Sequence, residues 1–157
     1  MTPNEQLIHT LYTAFQQKDH KTMGACYHNA ATFHDAVFDL KTGKEIRSMW
    51  EMLCRQSRDF SLHYNAVKAT EQNGSAHWEA QYTFSKTGRT VLNKIDAAFE
   101  FKDGLIIKHT DTFNFYNWSK QALGFNGLLL GWTPFLHNKV KRTAEAGLRA
   151  FIKKQNT

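Results

Sequence analysis

His109 and Asp111 stand two residues apart in the run "DGLIIKHTDTF". Residues two apart on a strand share a face. That face also takes Leu105, Ile107, Phe113 and Phe115, whereas Ile106, Lys108, Thr110, Thr112 and Asn114 fall on the other. A carboxylate and an imidazole among apolar neighbours must find partners or water. Burial with few partners raises a carboxyl pKa toward values useful for proton transfer. Asp111 is therefore the first candidate acid/base, with His109 as its assistant. The bland alternative is a structural pair in which His109 or a backbone amide satisfies Asp111.

A second carboxylate lies in "ATFHDAVFD", residues 31–39. Read as a strand, this run puts Phe33, Asp35 and Val37 on one face. Either the strand edge is wet there, or the face lines a pocket; a solvated strand end or a turn cap is the structural alternative for Asp35. His34 points the opposite way, toward the surface. The pocket reading makes Asp35 a second candidate for proton transfer.

Other strands supply the walls. In "SAHWEAQYTFSK", Trp78, Ala80, Tyr82 and Phe84 face one way, and His77, Glu79, Gln81 and Thr83 the other. In "RTVLNKIDAAFEFK", Val91, Asn93, Ile95 and Ala97 share the inner face, with Lys94, Asp96 and Glu100 outside. Trp78, Tyr82, Asn93, Ile95 and Phe113 are the candidate ligand contacts, Asn93 being the lone amide among them. Ordinary core packing is the alternative for the aromatic residues. The remaining histidines show no metal-ligand spacing, so no metal is expected.

Helices and turns must position these groups. "TPNEQLIHTLYTAFQQKD" opens as a helix, with Thr2 as cap, Pro3 in the first turn and Glu5 completing a capping box. A short helix is expected around "HKTMGACY". "KEIRSMWEMLCRQS" follows with Ile46, Met49, Trp50 and Leu53 on one stripe, which adds Trp50 to the candidate contacts. From Phe60 the period changes to two. Four strands, the last running through "LIIKHTDTFNFYNW", are separated by "EQNGS", "KTGR" and "KDG", all suited to hairpins. Helices first and a curved antiparallel sheet after is an α+β order.

The tail is unusual. "WSKQALGFNGLLLGWTPFL" is interrupted by Gly124, Gly127 and Gly131, and burial is expected for Leu128, Leu129, Leu130, Trp132 and Phe135. A lid, a dimer contact or a membrane-surface foot would each use it. The last helix carries Leu136, Val140, Ala144, Leu148, Phe151 and Ile152 on one stripe with basic residues around it. Packing against the sheet or a partner subunit is preferred over anionic lipid.

A length of 157 residues suits one domain with a real core. With 41% hydrophobic residues the chain is not of the disordered class. The net charge is +6, and residues 133–157 hold +5 of it. So concentrated a charge argues against a nucleic-acid-binding face. Cys26 and Cys54 fit no metal or redox spacing, and "MTPNEQLIHTLY" has no signal-peptide pattern, so free thiols in the cytoplasm are expected.

Three helices, a short strand pair and a four-strand meander, with "ATFHD" after the second helix and "DGLIIKHTDTF" on the last strand, resemble the nuclear transport factor 2-like superfamily. Its members include ketosteroid isomerases, SnoaL-like polyketide cyclases and limonene epoxide hydrolase. The resemblance covers roughly residues 3–116. It implies an α+β cone, a curved, mainly antiparallel sheet wrapped around N-terminal helices with a pocket between them. It also implies a homodimer through the outer face of the sheet.

Residue by residue, the isomerase base would fall on Asp35. The isomerase oxyanion tyrosine would fall on Leu11, next to Tyr12, which enters the candidate contacts on that ground. Its protonated aspartate would fall on Ala97, so the acid that such a site keeps neutral is absent. The epoxide hydrolase aspartate matches Asp111, but its Arg-x-Asp pair would fall on Trp78 and Ala80. The SnoaL-like cyclases share His-x-Asp on the last strand, matched by His109 and Asp111, and are the nearest analogy.

The expectation is a cone domain over residues 1–118 and a helical extension over 119–157, packed on the same domain or on a dimer partner. The function expected is that of a cofactor-free isomerase, cyclase or lyase acting on an apolar small molecule, with Asp111, Asp35 and His109 as acid/base groups. A non-catalytic ligand-binding or protein-interaction domain is the alternative. A peripheral membrane protein is the less favoured third reading.

Overall fold

A computed structural model describes residues 1–156. Three helices come first: α1 (Pro3–Gln16), α2 (His20–Ala25) and, after two strands, α3 (Gly43–Gln56). The strands are β1 (Tyr27–His34), β2 (Asp39–Leu40), β3 (Ser61–Ala69), β4 (Asn73–Phe84), β5 (Arg89–Lys102) and β6 (Leu105–Thr112). Helices α4 (Phe115–Leu123), α5 (Phe125–Leu130) and α6 (Pro134–Gln155) close the chain. The sheet order is β2-β1-β6-β5-β4-β3, antiparallel except where β1 lies parallel to β6. This is the expected α+β cone.

Local chemistry explains the boundaries. Thr2 and Glu5 form a capping box at α1. Thr42 caps α3 and Thr133 caps α6, each accepting a backbone N–H three residues on. Asp103 and Gly104 both have positive φ, 55° and 75°, which a two-residue hairpin between β5 and β6 requires.

Four expectations about the strands and α3 need correction. First, "ATFHDAVFD" is not one strand. β1 starts earlier, at Tyr27, and stops at His34; the Asp35 N–H then bonds the Phe38 carbonyl in a tight turn. Phe33 and Asp35 therefore do not share a strand face. Second, β6 carries a bulge: Phe101 pairs with Ile106 and Glu100 with Lys108, leaving Ile107 over. The extra residue reverses the faces before it, so Ile106 is fully buried and Ile107 only half-buried. From His109 onward the expected face holds, with Asp111 inside and Lys94 outside. Third, β6 ends at Thr112, because the Asn114 side chain caps α4 by accepting the Asn117 N–H. Fourth, Leu53 is exposed on α3; Cys54 takes the buried position.

The inner sheet face and the buried sides of α1, α2 and α3 enclose one large apolar core. A smaller cluster of Val91, Trp118 and Ala122 lies under α4. Tyr82 and Phe113 pack against both clusters and so mark the seam between them. Helix α6 lays its apolar stripe over these clusters. Leu148 is buried, Ala144, Phe151 and Ile152 pack on the main core, and Val140 packs on the smaller one. His137 Nε2 donates to the Ala36 carbonyl, 2.5 Å away, tying α6 to the β1–β2 turn. In contrast, Leu128, Leu129, Leu130, Trp132 and Phe135, expected to be buried, are exposed in this protomer. Leu128, Leu129 and Leu130 lie on the short α5, Trp132 in the turn after it, and Phe135 on α6, which turns its other face to the core.

Candidate functional site

Parity on β6 and β1 brings the key groups together. His109 pairs with Phe33 across the parallel ladder and with Phe99 across the antiparallel one. Its ring is wedged among Phe33, Phe99, Tyr27 and Trp50, with ring centres 4.5–6.3 Å away. Residue exposure is 1% for His109 and 4% for Asp111. Such groups must be satisfied internally.

They are satisfied by one directed chain. Trp50 Nε1–H donates to Tyr27 Oη at 3.1 Å. Tyr27 Oη lies 2.8 Å from His109 Nδ1, and His109 Nε2 lies 2.8 Å from Asp111 Oδ1. Trp78 Nε1–H also donates to Asp111 Oδ1, at 3.3 Å. The indoles can only donate. Tyr27 therefore accepts from Trp50 and gives its own proton to Nδ1, which leaves the His109 proton on Nε2, pointing at Asp111. This assignment follows from the partners. Both bonds to Asp111 fall on Oδ1; among the described residues Oδ2 accepts none.

Tyr12 stands beside Trp78, its ring 6.0 Å from the indole. Its hydroxyl is enclosed and has no hydrogen-bond partner, a state that makes it a donor in waiting. Burial first, then the Asp111 charge, pushes the Tyr12 phenol well above its ordinary pKa. Tyr27 is pushed the same way, again mainly by burial. Both hydroxyls keep their protons.

Asp35 lies at the half-buried end of β1. Its Oδ1 accepts the Val37 and Phe38 N–H groups at 2.7 Å, so it caps the turn. Burial still raises its carboxyl to about 6, against the pull of those two bonds, and the Asp111 charge adds to the rise. Burial, with a smaller push from the Asp35 charge, raises the Tyr82 phenol, and its hydroxyl accepts Trp118 Nε1–H at 2.8 Å.

The structure thus gathers Asp111, His109, Trp78, Trp50 and Tyr12 into one buried group. Asp35, Tyr82 and Phe113 stand nearer the seam. Ile95 packs in the core opposite Trp78. Asn93 is separated: Asp111 is opposite Ala97, and Asn93 lies four residues away along β5, about 13 Å. Its buried amide makes no side-chain hydrogen bond among the described residues. Tyr27 was missed in the sequence. Starting the strand at Tyr27 puts it in phase with Phe33, and that phase is the signal that could have found it.

The model of the SnoaL-like domain matches residues 8–109. No curated protein matches the sequence. Among solved structures, an LEH-like epoxide hydrolase of M. tuberculosis superposes with a TM-score of 0.62 at 18% identity, covering 85% of this chain and 95% of that one. A candidate polyketide cyclase of Xanthomonas campestris gives 0.63 at 19%, covering 74% and 93%. TerC, co-crystallised with polyporic acid, gives 0.66 at 12%, covering 76% and 98%. At these identities the likeness establishes a shared fold. The family match takes in more than half of the chain, from α1 to His109 in β6: the protein belongs to the SnoaL-like domain family.

Proposed function

We propose that the protein binds an apolar, carbonyl-bearing small molecule inside the cone and moves a proton on it without a cofactor. The observation that carries this reading is the directed chain Trp50–Tyr27–His109–Asp111, which leaves Asp111 Oδ2 without a donor. A carboxylate oriented in this way is a general base for a carbon acid. The Tyr12 hydroxyl, enclosed and unpartnered beside Trp78, is the group to donate to the oxyanion that proton removal creates. That restores the donor whose family position is Leu11. Asp35, held near 6, is the second acid/base at the seam.

The ligand enters at the seam marked by Tyr82 and Phe113, which pack against both apolar clusters. Polyketide cyclases and a polyporic acid complex among the structural neighbours support a polycyclic or aromatic ketone as the substrate class. A homodimer through the outer face of the sheet, where His77, Glu79 and Asp96 form an ion-paired cluster, belongs to the same reading. So does a reducing cytoplasm, which suits the two buried free thiols.

The near-complete enclosure of Asp111 favours a second reading, in which the chain is a structural polar network and the protein binds without turnover. Anthrone, a tricyclic ketone whose C10 methylene protons exchange through its enol tautomer, separates the two. In D2O the protein should speed loss of the anthrone methylene signal, and Asp111→Asn should abolish the effect. Equal exchange with both proteins would overturn the catalytic reading.

A further inference from the structure

The tail carries a surface that the pocket does not use. Phe125 (71%), Leu128, Leu129, Leu130, Trp132 (73%) and Phe135 (68%) are all strongly exposed within eleven residues. Soluble protomers rarely leave so many large apolar side chains together in water. The short helix α5 is held in this position by α4: Tyr116 Oη donates to the Leu128 carbonyl, and the Gly127 backbone meets Ser119 closely. A cleft of about 340 Å3 between Phe115, Tyr116, Trp132 and His137 adds recessed walls beside it.

Charge identifies what covers it. Residues 112–157 hold seven Lys and Arg against Glu145 alone, which equals the whole net charge of +6. On α6 the outward stripe runs Phe135, Lys139, Arg142, Ala146, Arg149 and Lys153, all exposed. It is therefore continuous with the apolar foot. Glu145 pairs with Arg149, and the rest of the stripe has no carboxylate of its own helix to balance it. A second copy seated symmetrically on this surface would bring one such tail against another, like charge to like. An anionic bilayer surface offers the opposite charge and an apolar layer at the depth the aromatic side chains need.

We propose that α5, the α5–α6 turn and the outward stripe of α6 dock on an anionic lipid surface. Phe125, Trp132 and Phe135 sit at the headgroup boundary, and Lys139, Arg142, Arg149 and Lys153 face the headgroups. Among the described residues no helix is long and apolar enough to cross a membrane, so the contact is interfacial. It does not depend on any chemistry at Asp111.

Vesicle sedimentation of the full chain tests this. Vesicles of equal parts phosphatidylcholine and phosphatidylglycerol should carry the protein down, and pure phosphatidylcholine vesicles should not. High salt should release it. Trp132→Ser should weaken binding by about tenfold or more, and a Lys139→Gln, Arg142→Gln, Arg149→Gln variant on the order of a hundredfold. All these side chains are exposed, so unchanged melting curves are expected to accompany the losses. Absence of binding to the anionic vesicles, or equal binding to both kinds, would overturn the proposal. So would light scattering that shows a dimer which Trp132→Ser converts to a monomer, since a second copy would then cover the foot.

Discussion

Tyr27 Oη and His109 Nδ1 lie 2.8 Å apart, joined across the parallel seam between β1 and β6. This bond links the one helix-borne donor of the network, Trp50, to the carboxylate at its end. The fold thereby fixes the His109 tautomer and selects which oxygen of Asp111 is occupied.

Tyr27→Phe should be costly for its size. It leaves Trp50 Nε1 without an acceptor and His109 Nδ1 without a donor, both buried. A loss of about 1–3 kcal/mol is expected, read as a lower urea midpoint at unchanged slope. A neutral result would mean that water reaches the network.

Asp35 makes stability depend on pH in an unusual direction. Its folded pKa, about 6, lies above the ordinary aspartate value of 3.8. The folded state therefore binds the extra proton, and stability falls as pH rises from about 4 to about 6. The loss is about 1–3 kcal/mol. Asp35→Asn keeps an oxygen to accept the Val37 and Phe38 N–H groups. It should flatten that fall and be the more stable protein at pH 7. Urea titrations at several pH values check it; a variant that is less stable than the parent at pH 7 would contradict the burial argument.

Gly127 sets how closely α5 approaches α4. A Cβ there would come within 1.9 Å of the Ser119 carbonyl oxygen. Gly127→Ala should cost about 1–3 kcal/mol or more, visible as a lower melting temperature. An unchanged melting temperature would mean that α5 is free to lift away.

Much of this architecture could be read from hydrophobic period and turn chemistry. Alternation on β4 and β5 put Trp78, Ile95 and Asn93 inside correctly, because those strands pair in an unbroken register. The bulge at Ile107 left no mark in the pattern, since Leu105, Ile106 and Ile107 are all apolar and either phase looks buried. The "ATFHDAVFD" reading failed for a similar reason. Asp35 bonding its own turn looks, in one dimension, like a strand position. Of the site, the His109–Asp111 pair was legible from spacing, whereas Tyr27 was not, because its partner lies on a strand 82 residues later. The exposure of Trp132 and Phe135 was hidden too: apolar content predicts burial, and only the packing of α6 shows which face is already taken.

The direction of the proton chain decides which oxygen of Asp111 is free, and the His109 ring nitrogens report it directly. In 15N NMR of histidine-labelled protein near neutral pH, His109 should show a protonated Nε2 and an unprotonated Nδ1 that accepts the Tyr27 proton. Tyr27→Phe should shift the Nδ1 resonance and leave other histidines in place. A protonated Nδ1 in the native protein would contradict the chain, and with it the assignment of Asp111 Oδ2 as the free proton acceptor.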